Sequence, residues 1–399
     1  MKKYVIIGNG VAGATAAENI RKFDREGSIT IFSEEPEPFY YRVRLPDVVA
    51  GEVSGSGITL RRPEWYATQK MDLLLGETAL KVDPSAGTVA GDQGALVSYD
   101  ALLLAVGARS FIPPVPGSDK EGVFALRTFA DAQAIAARAA LVDSAVLIGG
   151  GLLGLEAGYG LTRRGLKVQV VEFFDRLLPR QMDQAGAAML RNYLEGKGFS
   201  FFLGARSKEI LGKGAAEGLA LEDGRNLSGG LVLFSAGIRP NLDLAKAMNL
   251  EVDRGVKVDD RLKTSREGVF AAGDLIEHRG RAYGIWPAAK DQGAVAGVNM
   301  AGGSAQYKGS LMSNSLKVVG VDLTSAGDID VEGKKESVVF SDEDSYRKIV
   351  LDNGKIVGFI FFGLTKGIKE CQDALEKGRD VTSWVGKMAE KDFDFAFPA

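Results

Sequence analysis

Two glycine-rich turns of the same spacing could each bind a phosphate group. In both, a short apolar run leads into a G-x-G-x-x-G pattern that opens a helical stretch. In such turns one glycine permits the tight bend, the next lets the backbone approach a pyrophosphate, and the last allows close packing of helix on strand. The phosphate would then lie at the positive end of the helix dipole. The candidate residues are Gly8, Gly10, Ala12 and Gly13 in the first turn, and Gly149, Gly151, Leu152, Leu153 and Gly154 in the second.

Each turn is followed by a carboxylate at the spacing of a dinucleotide-binding unit. Glu34 and Glu35 follow the next apolar run after the first turn, and Glu172 closes the corresponding run after the second. A carboxylate at this point accepts hydrogen bonds from ribose hydroxyls. Because it would repel a 2′-phosphate, Glu172 favours NADH over NADPH, although Arg176 nearby could instead meet a phosphate. A flexible glycine loop, the alternative for either turn, does not account for both acids.

Alternating strand and helix patterns place each turn between a strand and a helix. Strands are predicted at KYVIIG, SITIFS, SAVLIGG and KVQVVE, and helices over 12–23 and 152–164. This alternation is typical of parallel sheets built from βαβ units. The predicted fold class is α/β, with two Rossmann-like dinucleotide-binding domains (parallel sheets with helices) plus a smaller C-terminal α+β domain.

The pattern changes towards the C-terminus. A Pro- and Gly-rich stretch, FIPPVPGSDKEG, is typical of a linker between the two nucleotide-binding domains. After NMAGG, strand-like segments follow one another at SLKVVGVDLTSAG, SVVFS and RKIVLDNGKIVGFIFFG. Asn353-Gly354 predicts a hairpin tip in the last of these. A final helix is expected over 367–377, within an antiparallel α+β domain over 306–399.

Composition limits the functional classes. With 49 Lys and Arg against 52 Asp and Glu, the net charge of -3 argues against nucleic acid as the main partner. The one cysteine, Cys371, allows no intrachain disulfide and no cysteine-based metal site, and no metal is predicted. We expect Cys371 to be a small buried hydrophobe and the one histidine, His278, to be an exposed loop residue, with a proton relay as the alternative. No membrane span or signal peptide is apparent, so a cytoplasmic location is expected.

Three further motifs resemble segments of a known flavoprotein family. LLLAVGARS, with Ala105 and Gly107, resembles the motif that closes a flavin domain, and LFSAGIRPN, with Gly237, is similar to the segment returning from a nicotinamide domain. GVFAAGD, ending at Asp274, resembles the second flavin fingerprint. With both glycine turns, the chain up to about residue 305 is identified as a member of the pyridine nucleotide-disulfide oxidoreductase superfamily. SEEPEPFYYRVRLPDVVAGE and LLPRQMDQAG resemble its NADH:rubredoxin oxidoreductase branch, with the flavoprotein part of nitrite reductase as a close relative.

This resemblance implies FAD at the first turn and NADH at the second. It implies a discontinuous FAD-binding domain over 1–110 and 235–305. The NAD-binding domain would occupy 111–234, and the remaining residues, 306–399, would form a C-terminal interface domain.

The resemblance also assigns roles to single residues. Arg42 would contact the FAD diphosphate, Asp274 the ribityl chain, and Trp286 would pack against the flavin ring or gate electron exit, with a core role as the alternative. Glu156 is the catalytic candidate near the nicotinamide and flavin N5, with a helix-surface carboxylate as the alternative. Ferredoxin reductases and apoptosis-inducing factors usually have a lysine, paired with the glutamate matching Glu156, where this chain has Asp47. A Lys–Glu pair is therefore not expected.

The missing thiols determine the predicted function. Disulfide reductases of the superfamily relay electrons through cysteines that this chain lacks, so the resemblance implies direct transfer from flavin to the acceptor. The leading prediction is an FAD-dependent NADH oxidoreductase that reduces a small acidic one-electron carrier such as rubredoxin. Arg42, Arg44, Arg61 and Arg62 could steer that carrier, or could serve flavin phosphate binding and solvated surface. The alternatives are an NADH oxidase and a protein-binding module controlled by flavin redox state. The C-terminal domain is the expected surface for a partner or a homodimer.

Overall fold

The chain forms two compact units, each assembled from three segments. The computed structural model describes residues 1–316 and 320–397, with the side chains of 314–316 left aside. The first unit comprises Met1–Arg44, Ser54–Arg109 and Ile238–Ser310, and the second comprises Leu45–Val53, Ser110–Gly237 and Leu311–Ala399. The short segment Leu45–Val53 therefore belongs to the unit that contains the second glycine turn, although it follows the first turn along the chain.

Strand–helix–strand units surround both glycine turns, and runs of consecutive strands lie between these units and after them. The strands are β1 (Lys3–Ile7), β2 (Ser28–Ser33), β3 (Met71–Leu75), β4 (Ala79–Asp83), β5 (Thr88–Gly91), β6 (Leu96–Ser98), β7 (Ala101–Leu104), β8 (Ala108–Ser110), β9 (Val123–Ala125), β10 (Ser144–Ile148), β11 (Lys167–Glu172), β12 (Phe199–Leu203), β13 (Ser207–Leu211), β14 (Gly218–Leu221), β15 (Asn226–Ser228), β16 (Leu231–Phe234), β17 (Ile238–Pro240), β18 (Val256–Val258), β19 (Val269–Ala271), β20 (Ile276–His278), β21 (Ser313–Leu316), β22 (Leu323–Gly327), β23 (Glu336–Ser341), β24 (Tyr346–Asp352) and β25 (Lys355–Phe362). The α-helices are α1 (Val11–Phe23), α2 (Leu45–Ala50), α3 (Gly55–Ile58), α4 (Pro63–Thr68), α5 (Phe129–Ala139), α6 (Leu152–Arg163), α7 (Gln184–Glu195), α8 (Asp243–Ala247), α9 (Trp286–Met300) and α10 (Ile368–Lys377). Short 3-10 helices span Arg42–Arg44 and Thr382–Lys387.

The first unit is built on a five-stranded parallel sheet in the order β19-β7-β1-β2-β3. The central strand β1 pairs with β2 on one side and with β7 on the other. Its residues from Tyr4 to Ile7 are buried, as is typical of parallel strands covered on both faces. Helix α9 packs closely on α1, since a Cβ added at Gly293 would lie 2.3 Å from the Ala12 carbonyl oxygen. The predicted bounds of β1, β2 and α1 are confirmed to within one residue.

The second unit repeats this arrangement in a sheet of order β12-β11-β10-β16-β9. Here β10 pairs in parallel with β11 and β16, as β1 does with its neighbours. The predicted strand KVQVVE coincides with β11, and α6 ends one residue before the predicted helix end. The two central strands thus deliver both glycine turns to the carboxyl ends of parallel sheets, where ligands bind in such folds. The predicted α/β fold class is confirmed.

The C-terminal segment of the second unit forms a separate antiparallel sheet in the order β21-β22-β25-β24-β23. Asn353 and Gly354 form the hairpin tip between β24 and β25, both with positive φ, as predicted. Helix α10 begins one residue after the expected start. Residues 317–319 of the predicted strand segment SLKVVGVDLTSAG lie outside the described residues. No helix among those described is long and apolar enough to cross a membrane.

Candidate functional site

The first glycine turn connects β1 to α1 and has the shape of a phosphate cradle. Gly8 has a φ of 109°, and a Cβ there would lie 2.3 Å from the Ala105 carbonyl oxygen. A Cβ at Gly13 would lie 1.9 Å from the Gly8 carbonyl oxygen, so both positions require glycine. A Cβ at Gly10, by contrast, would meet nothing within 4 Å. The space beside Gly10 is where a pyrophosphate could approach the backbone.

The amino end of α1 fits a bound anion. Gly10 is the N-cap and offers no capping side chain, and no acidic residue lies in the first helical turn. Among the described residues, the buried Nδ2 of Asn9 has no hydrogen-bond partner, while its Oδ1 accepts a bond of 2.8 Å from the Tyr66 hydroxyl. Helix amino ends attract anions, and an orphaned buried donor is rare in proteins. The residues present therefore fit a dinucleotide pyrophosphate, and Asn9 and Tyr66 are contributors that sequence reasoning missed.

The acids that follow β2 occupy different environments. Glu34 is exposed, whereas Glu35 is half-buried and accepts hydrogen bonds from the Tyr40 hydroxyl at 2.6 Å and from Arg42 at 2.5 Å. Burial acts to lower the pKa of Arg42, but Tyr40, Glu35 and Asp274 together hold it above its ordinary value. Arg42 and Asp274, both predicted at the flavin site, therefore lie near one another in the first unit.

The second flavin fingerprint is hydrogen-bonded to helix α9. The Gly273 N–H donates to Oε1 of Gln292, a fully buried side chain whose amide nitrogen lies 3.2 Å from the Tyr307 hydroxyl. Trp286, at the start of α9, is half-buried and stacks on Phe39 with ring centroids 5.8 Å apart. Sequence reasoning missed Gln292, because an amide inside a helical pattern carries no motif. The flavin role of Trp286 stays a prediction.

The predicted exposure of His278 was wrong. Its side chain is fully buried in β20, and Nε2 lies 3.0 Å from a carboxylate oxygen of Asp260. The Tyr307 ring packs on it with centroids 4.9 Å apart, and Nδ1 has no partner among the described residues. His278 follows the second flavin fingerprint, where an exposed loop was expected, but it lies in a strand that pairs with β18.

The second glycine turn reproduces the backbone of the first. Gly149 has a φ of 110°, and a Cβ there would lie 2.3 Å from the Ser235 carbonyl oxygen. A Cβ at Gly154 would lie 2.6 Å from the Ser235 hydroxyl, whereas Gly151 has no such neighbour closer than 3.8 Å. Gly151 caps α6 without a side chain, and the first turn of this helix, with Leu152 and Leu153, carries no acid.

Glu172 differs from its counterparts in the first unit because it is buried and bonded to its own turn. Its carboxylate accepts the Gly150 N–H at 2.6 Å and the Phe174 N–H at 2.9 Å. It is 7% exposed. The carboxylate thus lies at the phosphate cradle, as expected of an acid that reads a ribose.

Glu156 and Asp47 meet within the second unit. Helix α2, which carries Asp47, packs on α6 so closely that a Cβ at Gly160 would lie 2.9 Å from the Pro46 carbonyl oxygen. The Arg164 guanidinium bonds to the Val49 carbonyl oxygen. Burial raises the pKa of Glu156 to about 8, and the negative charge of Asp47 adds to this rise. Asp47 thus opposes ionisation of Glu156, where a lysine would favour it.

Other predicted residues lie as follows. Ala105 and Gly107 follow β7, and the Gly107 carbonyl accepts the Asn241 N–H at 3.0 Å. Gly237 has a φ of 92° in the segment after β16. Cys371 is fully buried, and burial raises the pKa of its thiol, so the expectation of a small buried hydrophobe is confirmed. Among the described residues no cluster of His, Cys, Asp and Glu could hold a metal ion.

The comparisons with known proteins define the class. The family described as pyridine nucleotide-disulphide oxidoreductase matches residues 2–293, and the rubredoxin NAD+ reductase C-terminal domain matches residues 313–379. The chain therefore belongs to the pyridine nucleotide-disulphide oxidoreductase family. The predicted family, the oxidoreductase class and FAD and NADH as cofactors are confirmed at this level.

Individual similar proteins show how much of the chain the resemblance covers. The chain is 38% identical over 385 residues to nitrite reductase [NAD(P)H] of Bacillus subtilis (strain 168), covering 96% of this chain and 48% of the relative. It is 30% identical to NADH-rubredoxin oxidoreductase of Clostridium acetobutylicum, with 89% of each covered. The solved structure of NADH:rubredoxin oxidoreductase from Clostridium acetobutylicum superposes with a TM-score of 0.80 at 27% identity, over 95% of this chain and 96% of that one. The chain spans about half the length of the first curated relatives it matches.

Proposed function

We propose that this chain passes electrons from NADH through FAD to a small one-electron carrier of the rubredoxin type, in the cytoplasm. One observation carries the proposal: both dinucleotide cradles are complete, while the single thiol of the chain is buried. A buried thiol with a raised pKa is a poor nucleophile, so no thiol relay can follow the flavin. Bound FAD supplies the ability to accept two electrons together and to release them singly.

The proposed division of labour follows the domain prediction. Residues 1–110 and 235–305 hold FAD, with Gly8, Gly10 and Gly13 at its pyrophosphate. Residues 111–234 hold NADH, with Gly149, Gly151 and Glu172 at its adenosine half. The remaining residues, 306–399, form an interface domain for the carrier or for a second copy of the chain.

Glu156 is the proposed catalytic residue. With a pKa near 8, its carboxyl holds a proton at neutral pH and can donate as well as accept a hydrogen bond. A neutral carboxyl also adds no negative charge where the negatively charged NADH must bind. Burial is the main reason that Glu156 stays protonated, and the negative charge of Asp47 adds to this effect.

The contacts in the first unit change which cations we assign to the carrier-docking surface. Arg42 is engaged with Glu35, whereas Arg61 lies over the Trp65 ring at 5.1 Å and 3.6 Å from Glu18. A groove beside Arg61 is lined by three more cations, and exposed Arg62 follows Arg61 along the chain. Positive clusters of this kind attract acidic partners and speed their encounter. The groove residues are Glu18, Arg21, Lys22, Arg25, Trp65 and Gln69.

The test is an acceptor panel with the flavin-loaded chain. After reduction by NADH without oxygen, reoxidation by rubredoxin, ferredoxin and air-saturated buffer is followed by flavin absorbance. Rubredoxin should reoxidise the flavin much faster than oxygen does. Equal or faster reaction with oxygen would favour an NADH oxidase, an alternative supported by 33% identity over 341 residues to NADH oxidase of Methanocaldococcus jannaschii. Negligible turnover with every acceptor, but binding of a partner only after reduction, would favour a redox-controlled binding module.

A further inference from the structure

The surface just beyond Glu172 carries an arginine that sequence spacing did not reveal. Strand β12 pairs with β11, and the chain leaving β12 stays close to the acid: the Ala205 N–H donates to the Glu172 carbonyl oxygen at 3.0 Å. The Gly204 N–H donates to the Phe174 carbonyl oxygen at 2.8 Å. These two bonds fix the loop beside the acid, and Arg206 is the next residue along it.

The guanidinium of Arg206 is placed over an aromatic ring and faces solvent. It lies 4.9 Å from the centre of the Phe173 ring, and both side chains are exposed. Stacking of this kind orients a guanidinium while leaving its N–H groups at the edge available. Among the described residues, no carboxylate forms an ion pair with Arg206. A cation with open donors therefore lies next to the acid that would read the ribose.

Arg176, the arginine that spacing suggested, is committed elsewhere. Its Nε donates to the Met182 carbonyl oxygen at 3.3 Å and its Nη2 to the Pro179 carbonyl oxygen at 3.1 Å. Its Nη1 lies 3.1 Å from Asp175, and the side chain is 17% exposed. These bonds hold Arg176 within its own loop, so it is not the residue that would receive a phosphate.

We propose that Arg206 is a latent binding residue for an adenosine 2′-phosphate, masked by Glu172. The inference rests on the proposed assignment of NADH to the second glycine turn. A 2′-hydroxyl suits the carboxylate, whereas a 2′-phosphate is repelled by it and suits a guanidinium, which binds phosphate oxygens in pairs. Cofactor choice in this chain is then set by two opposing residues, one at the end of β11 and one in the loop after β12. Removing the charge of Glu172 exposes the site for which Arg206 is already placed.

The test compares 5′-ADP with 2′,5′-ADP by calorimetric titration of the flavin-loaded chain. Wild type should prefer 5′-ADP. Glu172→Gln, which keeps a carbonyl acceptor and loses the charge, should raise the affinity for 2′,5′-ADP relative to 5′-ADP by about tenfold or more. Adding Arg206→Gln should remove most of that gain. Adding Lys167→Gln instead removes the same charge at the opposite end of β11 and should leave the gain in place.

The possible outcomes distinguish failure of the Arg206 proposal from failure of the assignment of NADH to the second glycine turn. If wild type binds neither nucleotide, the assignment of the second turn is wrong and the inference falls with it. If 5′-ADP binds but Arg206→Gln leaves the Glu172→Gln gain intact, the assignment stands and Arg206 is not the phosphate site. Arg206→Gln alone, which preserves both Glu172 hydrogen bonds, gives an independent check. It should weaken 2′,5′-ADP more than 5′-ADP, and equal weakening of both would overturn the proposal.

Discussion

The two glycine cradles share one backbone design and differ in the acids beside them. In each, a glycine with φ near 110° lies under a carbonyl oxygen, and a Cβ at the middle glycine would meet no protein atom closer than 3.8 Å. In the first unit, Glu35 is bound by Arg42 and Tyr40, side chains that follow it in the same loop. In the second unit, Glu172 is bound by backbone N–H groups of Gly150 and Phe174.

This difference shows which part of a dinucleotide site is generic and which part selects the ligand. Backbone geometry at the turn serves any pyrophosphate, so it repeats almost unchanged. The surroundings of the acid decide what lies at the ribose. A cation forms an ion pair with the acid in the first unit, whereas no side chain among the described residues forms an ion pair with Glu172. A site such as that of Glu172 therefore discriminates against a nucleotide with a 2′-phosphate on its adenosine ribose.

The largest effect is expected from filling the open middle position of each cradle. Gly10→Val should abolish retention of FAD and leave 5′-ADP binding, whereas Gly151→Val should retain FAD and lose 5′-ADP binding. Neither added Cβ meets a protein atom within 3.4 Å, so both variants should fold. Flavin absorbance and calorimetry measure the two ligands, and each variant is the control for the other. Loss of flavin in Gly151→Val would mean that the two sites have been exchanged.

A smaller effect is expected from the acid of the second cradle. Glu172→Ala removes the ribose acceptor and two backbone bonds, so the KM for NADH should rise by about tenfold or more while FAD stays bound. Steady-state rates with a dye acceptor measure the KM. The matched variant Glu209→Ala, at an exposed acid of the second unit to which no cofactor role is assigned, should leave that KM unchanged. A normal KM in Glu172→Ala would remove this residue from the NADH site.

Glu156 should make thermal stability depend on pH. Its pKa is about 8 in the folded chain against an ordinary value of 4.5, so the folded state holds the proton more tightly than the unfolded state. The stability contributed by this preference is fully present below about pH 4.5 and is lost as the pH rises through 8. Glu156→Gln cannot ionise, so its Tm should exceed that of wild type increasingly over this range. The margin should grow by roughly 3–5 °C per pH unit, since one pH unit corresponds to about 1.4 kcal/mol and 1 kcal/mol to about 2–4 °C in domains of about 150–250 residues.

Asp47→Asn tests how much the charge of Asp47 contributes to this pH dependence. It removes the charge that adds to the rise, so the pH dependence due to Glu156 should persist but move to lower pH, because burial remains. A Tm difference between wild type and Glu156→Gln that is the same from pH 5 to 9 would refute the raised pKa.

The smallest effect is expected from surface charge on the first unit. Arg61→Glu with Arg62→Glu should slow reduction of rubredoxin several-fold at low salt and leave flavin reduction by NADH unchanged, because steering acts on encounter and is screened by salt. Stopped-flow absorbance separates the two steps. Lys208→Glu with Lys213→Glu makes the same charge change on exposed residues of the second unit. An equal slowing in both pairs would show a net-charge effect without a docking surface.

Sequence reasoning reached the parts of the site that local spacing determines. The glycine turns, Glu172 and the strand–helix units around them follow from residues within about thirty positions of one another. Contacts that no motif spacing encodes were out of reach: Asp260 beside His278, Asp47 beside Glu156, and Arg206 beside Phe173 are set by sheet and helix packing. His278 shows the error this produces, because its burial depends on a strand pairing and on Asp260, which its position in the sequence does not reveal.

The central claim is that FAD occupies the first cradle and NADH the second. The most direct test is an anaerobic titration of the purified chain with NADH, followed by visible absorbance. We expect a yellow protein, or one that becomes yellow with added FAD, whose flavin absorbance is bleached by one NADH per chain. A colourless protein that cannot be reconstituted with FAD, or a yellow one that NADH fails to bleach, would contradict it.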